Sequence, residues 1–371
     1  MEKSFYELFS FISNNTLSRA ELSDVGEIKN IHYGDILVKY GDVLSATDIG
    51  ISFVGNSKKF KKGDFLKDGD IIIADTAEDE TVGKSIEITD SKNIKLVAGL
   101  HTMACRPKIS FGQAYLGYYI NSPAFHYQLI PLMQGIKVTS ISKSNILTTF
   151  IRFPSLPEQK KIAAFFTLLD RRIQKQRQLV ECLKTYKRGV MNKLFNENVE
   201  FDKYLKWEKV DEIFKTINDK PYQVQSCSYL KNGLYDIIDQ GKKEIVGFCD
   251  YNDKLFIDVP VIIYGDHTTL VKYREKKFII GGDGVKLLKS RDSSLNLKYL
   301  YYALLQYNIK PEGYKRHFSI LKEVSLPIFE KCIQDEIAKI MTCIDSCIKL
   351  HENKLSSLLS LKSALLQKMF I

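Results

Sequence analysis

The sequence predicts an α+β protein: two α/β domains separated by two long helices that pack as an antiparallel coiled coil, with a pseudo-twofold internal repeat. Three observations predict it. One long stretch without proline has a helical apolar period, a second such stretch lies at a constant offset near the end of the chain, and similar hydrophobic segments precede both. With 371 residues, 44% of them hydrophobic, the chain is long enough for two domains with cores of their own.

The composition changes at three places and divides the chain into four segments. We expect a first domain at 1–153, a first long helix at 154–198, a second domain at 199–327 and a second long helix at 328–371. The N-terminus lacks the apolar run of a signal peptide and no run of eighteen apolar residues occurs, so a cytoplasmic protein without a membrane partner is expected.

The first long helix is predicted from residues 158–195, which contain no proline and one glycine. At about 1.5 Å per residue this stretch would span roughly 57 Å, which is long for a helix of a globular domain. With Ile162 at heptad position a, Leu169, Leu183 and Val190 also fall at a. Position d holds Phe165, Arg172, Leu179 and Tyr186, and the flanking position e holds Phe166, Ile173, Val180 and Leu194. A broad apolar stripe of this length predicts a helical partner.

The second long helix supplies that partner, because it repeats the first at an offset of 175 residues. The identities at this offset, without a gap, include Ile162/Ile337, Ala163/Ala338, Asp170/Asp345, Ile173/Ile348, Leu183/Leu358, Lys187/Lys362, Lys193/Lys368 and Phe195/Phe370. The segments before each helix also correspond. IIIAD, VAGLHT and YLGYYI in the first half match VIIYGD, IIGGDGVKLL and YLYYALL in the second, and each set predicts a strand, a turn between strands, and an aromatic helix.

The net charge of +10 is concentrated in the first helix. Residues 158–195 contain ten basic and three acidic residues, whereas 1–157 are neutral, 196–329 carry +2 and 330–371 carry +1. A basic surface of this kind favours a polyanion or an acidic protein surface as partner.

Motifs for catalysis are absent from the sequence. Residues 83–85 resemble the end of a phosphate-binding loop, but Glu78 stands where that motif requires glycine, so a solvated acidic loop is favoured. The run at 281–284 lacks the third glycine of a dinucleotide loop and predicts a tight turn. His267 is favoured as a polar contact over a general base.

A metal site is also disfavoured. Cys343, Cys347 and His351 share one helical face, but no second cluster completes a four-ligand zinc site and two of the three occupy core heptad positions. We therefore expect neither a metal nor catalytic residues in this chain.

The chain resembles the specificity subunit of type I restriction-modification systems over essentially its whole length. The resemblance rests on PSLPEQKKIAAFFTLLDRRI at 154–173, on KSIEI, VAGLHTMACRP and ISKSNI in the first half, and on VIIYGDHTT and GGDGVKLL in the second. The second helix departs from it by beginning LPIFEKCIQDEI. The resemblance implies target-recognition domains that each read one half of a bipartite double-stranded DNA site, and helices that set the spacer.

The resemblance also implies partners and the absence of catalysis in this chain. Two methyltransferase subunits would dock on the helices and bring S-adenosylmethionine. Two restriction or translocase subunits would act with ATP and Mg. Two other hypotheses stay open: a stand-alone DNA methyltransferase or endonuclease, and a coiled-coil scaffold that binds no nucleic acid.

DNA-contacting residues are predicted among basic and hydroxyl side chains of loops. In the first domain they are Arg106, Lys108, Lys137, Ser140, Ser142 and Lys143, and in the second Lys242, Lys243, His267, Thr268, Thr269, Lys272, Arg274 and Arg316. Seven residues of the first helix are predicted to meet phosphates or partner subunits: Arg171, Arg172, Lys175, Arg177, Lys184, Lys187 and Arg188.

Overall fold

The computed structural model describes residues 1–55, 64–135, 137–197, 205–225, 229–313 and 315–370. The chain divides into two compact units, Met1–Arg177 with Asn353–Ile371, and Gln178–Glu352. Each unit contains one α/β domain and part of both long helices, so the units cut across the four segments expected from composition. The predicted boundary between 198 and 199 lies outside the described residues.

The described helices are α1(Phe5–Leu8), α2(Tyr33–Val38), α3(Tyr115–Ile120), α4(Pro123–Leu129), α5(Lys143–Ile146), α6(Leu156–Asn192), α7(Val210–Ile213), α8(Leu297–Gln306), α9(Phe318–Leu321) and α10(Lys331–Met369). A π-helical turn, Lys193–Glu197, continues α6. Short 3₁₀ helices lie at Arg19–Glu21, Ile130–Leu132 and Lys220–Tyr222. Within the described residues, no helix is long and apolar enough to cross a membrane.

The strands fall into two similar sets. The first unit has β1(Glu2–Ser4), β2(Phe9–Ile12), β3(Leu22–Ser23), β4(Lys29–Ile31), β5(Val43–Ser45), β6(Phe53–Val54), β7(Ile71–Ala74), β8(Thr76–Ala77), β9(Ser85–Thr89), β10(Leu96–Ala98), β11(Thr102–Pro107), β12(Thr139–Ser140) and β13(Phe150–Arg152). The second has β14(Lys206–Lys209), β15(Phe214–Ile217), β16(Gln223–Val224), β17(Tyr235–Ile238), β18(Gly247–Cys249), β19(Val261–Gly265), β20(Val271–Arg274), β21(Phe278–Gly281), β22(Val285–Ser290) and β23(Ser325–Ile328).

The sheets confirm the internal repeat. The first unit has a sheet of order β2-β11-β7-β9-β5 and the second one of order β15-β22-β19-β20, with β7 and β19 in corresponding central places. A second sheet accompanies each, β10-β4-β6-β3 and β16-β21-β17-β18. The paired segments IIIAD and VIIYGD form β7 and β19, and the aromatic segments form α3 and α8, as predicted.

The central strands are continuously apolar because both of their faces are buried. In β7, Ile71 and Ile73 pack in one core cluster while Ile72 and Ala74 pack in another. In β19, Ile262 and Tyr264 are likewise separated from Val261 and Ile263. Successive side chains of a strand point to opposite faces, so a strand between two cores needs apolar residues at every position.

Both long helices are present, and Ser155, just before α6, is bonded to the first turn of that helix. The N–H and hydroxyl of Ser155 both donate to Glu158 Oε2, at 3.1 and 2.7 Å. In the first unit, Phe166 stacks on Phe370 and Asp170 pairs with Lys362, so α10 runs opposite to α6 there. In the second unit, pairs of Lys184 with Glu352 and of Lys187 with Asp345 show the same antiparallel direction.

The buried face of these helices differs from the predicted heptad seam. Position a is buried or half-buried, as at Leu169 and Ile337, but the apolar d positions face outward: Phe165, Leu179, Tyr186, Ile340 and Leu361 are all exposed. The neighbouring e positions are buried instead: Phe166, Ile173 and Val180. The reason is that each helix also packs on its own α/β domain, as Phe166 does on Tyr118, which turns the buried stripe away from d.

Candidate nucleic-acid interface

Each domain brings two turns together at the end of its central strand, and we call this pair the turn edge. In the first domain it comprises residues 75–77, after β7, and 99–101, between β10 and β11. The N–H of Asp75 donates to the carbonyl of His101 at 3.2 Å. In the second domain it comprises 266–270 and 282–284, and the N–H of Asp266 donates to the carbonyl of Gly284 at 2.7 Å.

A third segment joins each turn edge by an equivalent bond. The N–H of Ile141 donates to the carbonyl of Asp75 at 2.9 Å, and the N–H of His317 donates to that of Asp266 at 2.8 Å. Ile141 and His317 each shortly precede a short helix, α5 or α9. The exposed residues just before them, Ser140 and Arg316, therefore occupy equivalent places beside the two turn edges.

In the first domain the turn edge carries an imidazole, a hydroxyl and a carboxylate. The hydroxyl of Thr76 donates to Asp75 Oδ1 at 2.8 Å. His101 Nδ1 lies 3.5 Å from that oxygen and 3.5 Å from Thr76 Oγ1. The imidazole and the ring of Tyr33 form a T-shaped pair, with centroids 5.3 Å apart at 77°. Neither Thr76 nor His101 is among the residues predicted from the sequence.

In the second domain Gln240 holds the turns in place. Its Oε1 accepts the N–H of His267 at 3.1 Å and its Nε2 donates to the carbonyl of Asp283 at 3.0 Å. The hydroxyl of Thr268 donates to the Gln240 carbonyl at 2.6 Å. Thr269 is buried with a φ of 57°, and its carbonyl accepts a bond from Asn308 Nδ2 at 2.6 Å. One glutamine side chain thus fixes both turns of this edge.

Four of the six residues predicted for the first domain use their side chains in contacts within the domain. Arg106 donates through Nε and Nη2 to the buried carboxylate of Asp70, at 2.9 and 2.7 Å. Lys108 donates to the Tyr6 carbonyl, Lys143 lies 5.3 Å from the Phe11 ring centroid, and Ser142 caps α5 by accepting from Asn145. The other two, Lys137 and Ser140, are exposed, and Ser140 pairs with Thr76 across the β12–β8 ladder.

The second domain divides its predicted residues in the same way. Lys272 is buried and donates to the carbonyls of Asp239 and Lys243, at 2.9 and 2.6 Å. Burial lowers the pKa of Lys272, against the opposing effect of Asp239. Arg274 pairs with Asp236 and Glu244. The remaining predicted residues are at the turn edge or exposed: His267, Thr268, Thr269, Lys242, Lys243 and Arg316.

The basic residues of α6 also separate into two groups. Lys184 and Lys187 form ion pairs with Glu352 and Asp345 of α10. Arg188 is exposed and donates to the hydroxyl of Thr185 at 3.0 Å. The group in the first unit is exposed throughout: Arg171, Arg172, Lys175 and Arg177.

The turn-edge residues that sequence reasoning missed had a signal in the repeat. An aspartate directly follows each central strand, Asp75 after β7 and Asp266 after β19. Aligning the two halves of the sequence on these aspartates places Thr76 opposite His267. Selecting basic and hydroxyl side chains within each domain separately passed over that correspondence. Among the residues that the structure describes, no group of three or more His, Cys, Asp or Glu side chains could hold a metal ion.

Comparisons with known proteins agree with this duplicated architecture. The sequence model of the family described as type I restriction modification DNA specificity domain matches residues 1–182 and again residues 204–360. A Methanocaldococcus jannaschii protein assigned as the specificity subunit of the type I restriction enzyme MjaX is 26% identical over 355 residues, covering 84% of this chain and 81% of that protein.

Solved structures show the same fold. The S subunit of a type I restriction-modification system from M. genitalium has a TM-score of 0.62 at 16% identity, covering 100% of this chain and 96% of that one. A chain from a structure of type I restriction-modification complex assembly and conformational transition has a TM-score of 0.55 at 16% identity, with coverage of 100% and 97%.

Proposed function

The chain belongs to the type I restriction-modification DNA specificity family, and from that premise we propose that each domain reads one half of a bipartite DNA site through its turn edge. It is a specificity subunit with two recognition domains. The single observation that carries the proposal is the duplicated turn edge. The same three segments converge in both domains, and each edge holds hydroxyl and imidazole groups on hydrogen-bonded turns.

The chemistry of the edges suits base reading better than phosphate binding. Short polar side chains on fixed turns can meet the donors and acceptors of base edges, whereas phosphate contacts position a protein without reading sequence. The two domain segments have net charges of only 0 and +2. In addition, Arg106, Lys272 and Arg274 form ion pairs with carboxylates of their own domain. Phosphate attraction is therefore assigned to the exposed basic residues of α6.

We test that assignment by replacing the four exposed basic residues of α6 in the first unit, Arg171, Arg172, Lys175 and Arg177, by glutamine. If each meets one phosphate, the slope of log affinity against log salt falls by about 0.9 per residue, equally for cognate and non-cognate DNA. Lys184→Gln is the control, because Glu352 already holds that ammonium. An unchanged slope, or a loss confined to cognate DNA, would contradict the assignment.

Catalysis is proposed to reside in partner subunits. Two methyltransferase subunits would bring S-adenosylmethionine, and two restriction or translocase subunits would use ATP and Mg. The exposed apolar d positions of the long helices, among them Phe165, Tyr186, Ile340 and Leu361, support this docking, since exposed apolar side chains are available to a protein partner. Phe165 and Ile340 are equivalent in the repeat, as are Tyr186 and Leu361, so two copies of one partner would fit.

The long helices are proposed to form an antiparallel coiled coil that sets the spacer between the half-sites. Deleting seven residues from each, 174–180 and the equivalent 349–355, keeps the helical phase and removes about 10 Å from each helix. At 3.4 Å per base pair the preferred spacer should shorten by about three base pairs. An active complex with the original spacer would contradict this role.

The decisive experiment reconstitutes the chain with its methyltransferase subunits and S-adenosylmethionine, methylates a random DNA library and sequences the modified positions. The expected result is a bipartite motif with a fixed spacer. Methylation or binding without sequence preference would support the scaffold hypothesis instead. Methyl transfer or DNA cleavage by the isolated chain would support the enzyme hypothesis.

A further inference from the structure

The position of His101 in the turn edge is one that favours glycine. His101 has a φ of 55°, in the left-handed region that side chains with a Cβ rarely adopt. The equivalent position of the second domain is Gly284, because both residues accept the N–H of the aspartate that follows the central strand, Asp75 or Asp266. Gly284 has a φ of 82°. The first domain thus holds a histidine where the second has the residue that the backbone prefers.

The imidazole of His101 is oriented although it is exposed. Its side chain is 48% accessible, yet Nδ1 faces Asp75 Oδ1 at 3.5 Å and the ring forms a T-shaped pair with Tyr33. In the neutral imidazole the Asp75 carboxylate favours the tautomer with its proton on Nδ1, in which Nε2 is an acceptor. In the major groove such an acceptor meets the exocyclic amine of adenine or cytosine.

Stability does not explain this histidine. Strained backbone positions persist where the surrounding structure holds them and are concentrated at functional sites. The imidazole fills no core, and glycine would relieve the backbone. Deepening the proposed function, on which this inference rests, we propose that His101 is a specificity-determining residue of the first domain, which reads one base of the first half-site through Nε2.

The test is His101→Gly in the full chain, reconstituted with its methyltransferase subunits. Initial methylation rates are measured on DNA carrying every single-base change in either half-site. Discrimination at one position of the first half-site should fall by about 5- to 150-fold, the range expected for a lost base contact. Discrimination across the second half-site should stay unchanged. The melting temperature should be equal to or higher than that of the wild type.

The matched control is Asn93→Gly. Asn93 is exposed with a φ of 65°, in the same unit, but it lies before β10 whereas His101 lies after it. This substitution gives the same backbone relief and should leave discrimination at all positions unchanged. A His101→Gly complex that discriminates like the wild type, or one that loses specificity in both half-sites, overturns the inference. If the wild-type complex itself shows no sequence preference, the proposed function fails instead.

Discussion

Replacing Lys362 by methionine should destabilise the first unit more than the same replacement of the equivalent lysine, Lys187, destabilises the second unit. Lys362 Nζ lies 2.6 Å from Asp42 Oδ2 and 2.5 Å from Asp170 Oδ1. It also lies 5.4 Å from the centroid of Tyr118, whose hydroxyl donates to Asp170 at 2.9 Å. The lysine is 15% exposed and Asp42 13%, so removal of the ammonium leaves a buried carboxylate without its counterion.

The expected loss is about 3 to 5 kcal/mol in the free energy of unfolding at neutral pH, as for a buried pair that loses one partner. The repeat provides a matched control in Lys187→Met. Lys187 pairs with the equivalent aspartate, Asp345, and lies near the ring of the equivalent tyrosine, Tyr302. It pairs with one carboxylate where Lys362 pairs with two, and that carboxylate, Asp345, is 36% exposed. Solvent can compensate an exposed carboxylate, so this variant should lose only about 1 kcal/mol.

The loss should also depend on pH in one direction. Burial raises the pKa of Asp42, while Lys362 opposes that rise. A carboxyl whose pKa is raised by folding stabilises the protein below its unfolded pKa, about 3.9 for aspartate, and this contribution is lost as the pH rises through the folded value. Without Lys362 the pKa of Asp42 rises further, so the deficit of the variant should grow with pH.

The assay is urea unfolding at pH 4.5 and pH 7.5, read by hydrogen exchange of peptides from residues 1–55 and 64–135, which report on the first unit. The control peptides come from residues 229–313 of the second. The reasoning is refuted if Lys362→Met has the same deficit at both pH values, or if Lys187→Met is equally destabilising.

Three further changes test other contacts of the first domain. Burial raises the pKa of Glu87 to about 7, although hydrogen bonds from the backbone N–H groups of Gly117 and Ala114 oppose that rise. Glu87→Gln should therefore remove the contribution of Glu87 to the fall in stability between about pH 4.5 and 7.5 and leave that of Asp42, as measured by denaturant titration. Arg106→Ala should lower the free energy of unfolding by about 3 kcal/mol because Asp70 stays buried and unpaired, without a selective change in base preference. Gly117→Ala would place a Cβ 2.3 Å from the Asp42 carbonyl, and circular dichroism should show a melting temperature well below that of the wild type.

The repeat could be predicted because the two long helices have the same hydrophobic period at a constant offset. It also extends to hydrogen bonds that this period does not show. Gln159 and Gln334 differ by the same offset of 175 residues. The Oε1 of Gln159 accepts the N–H of Gly112 at 2.8 Å, and that of Gln334 accepts the N–H of Asn296 at 2.9 Å. A buried glutamine in an amphipathic helix marks such a bond, so the identity at this offset was a usable signal.

The DNA-contacting side chains could not be selected by charge, because ion pairing depends on contacts distant in the sequence. Arg106 is 36 residues from Asp70, and Arg274 is 38 residues from Asp236. Whether such an arginine is free for DNA is decided by the tertiary fold. Arg106 lies in β11, which pairs with β7 next to Asp70, whereas Arg274 and Asp236 lie in strands of two different sheets. The residues at the turn edges depend less on such pairing, since they follow directly from where the central strands end.

Separating base reading from phosphate attraction has a consequence for specificity. Non-specific affinity grows with the number of phosphate contacts, whereas each good base contact adds about 1 to 3 kcal/mol of discrimination. A domain whose arginines and lysines are held by internal carboxylates and carbonyls, as Arg106 and Lys272 are, gains little from DNA of the wrong sequence. A few base contacts at its turn edge can then dominate the ratio of cognate to non-cognate binding, while exposed charges on α6 and partner subunits supply affinity common to all sequences.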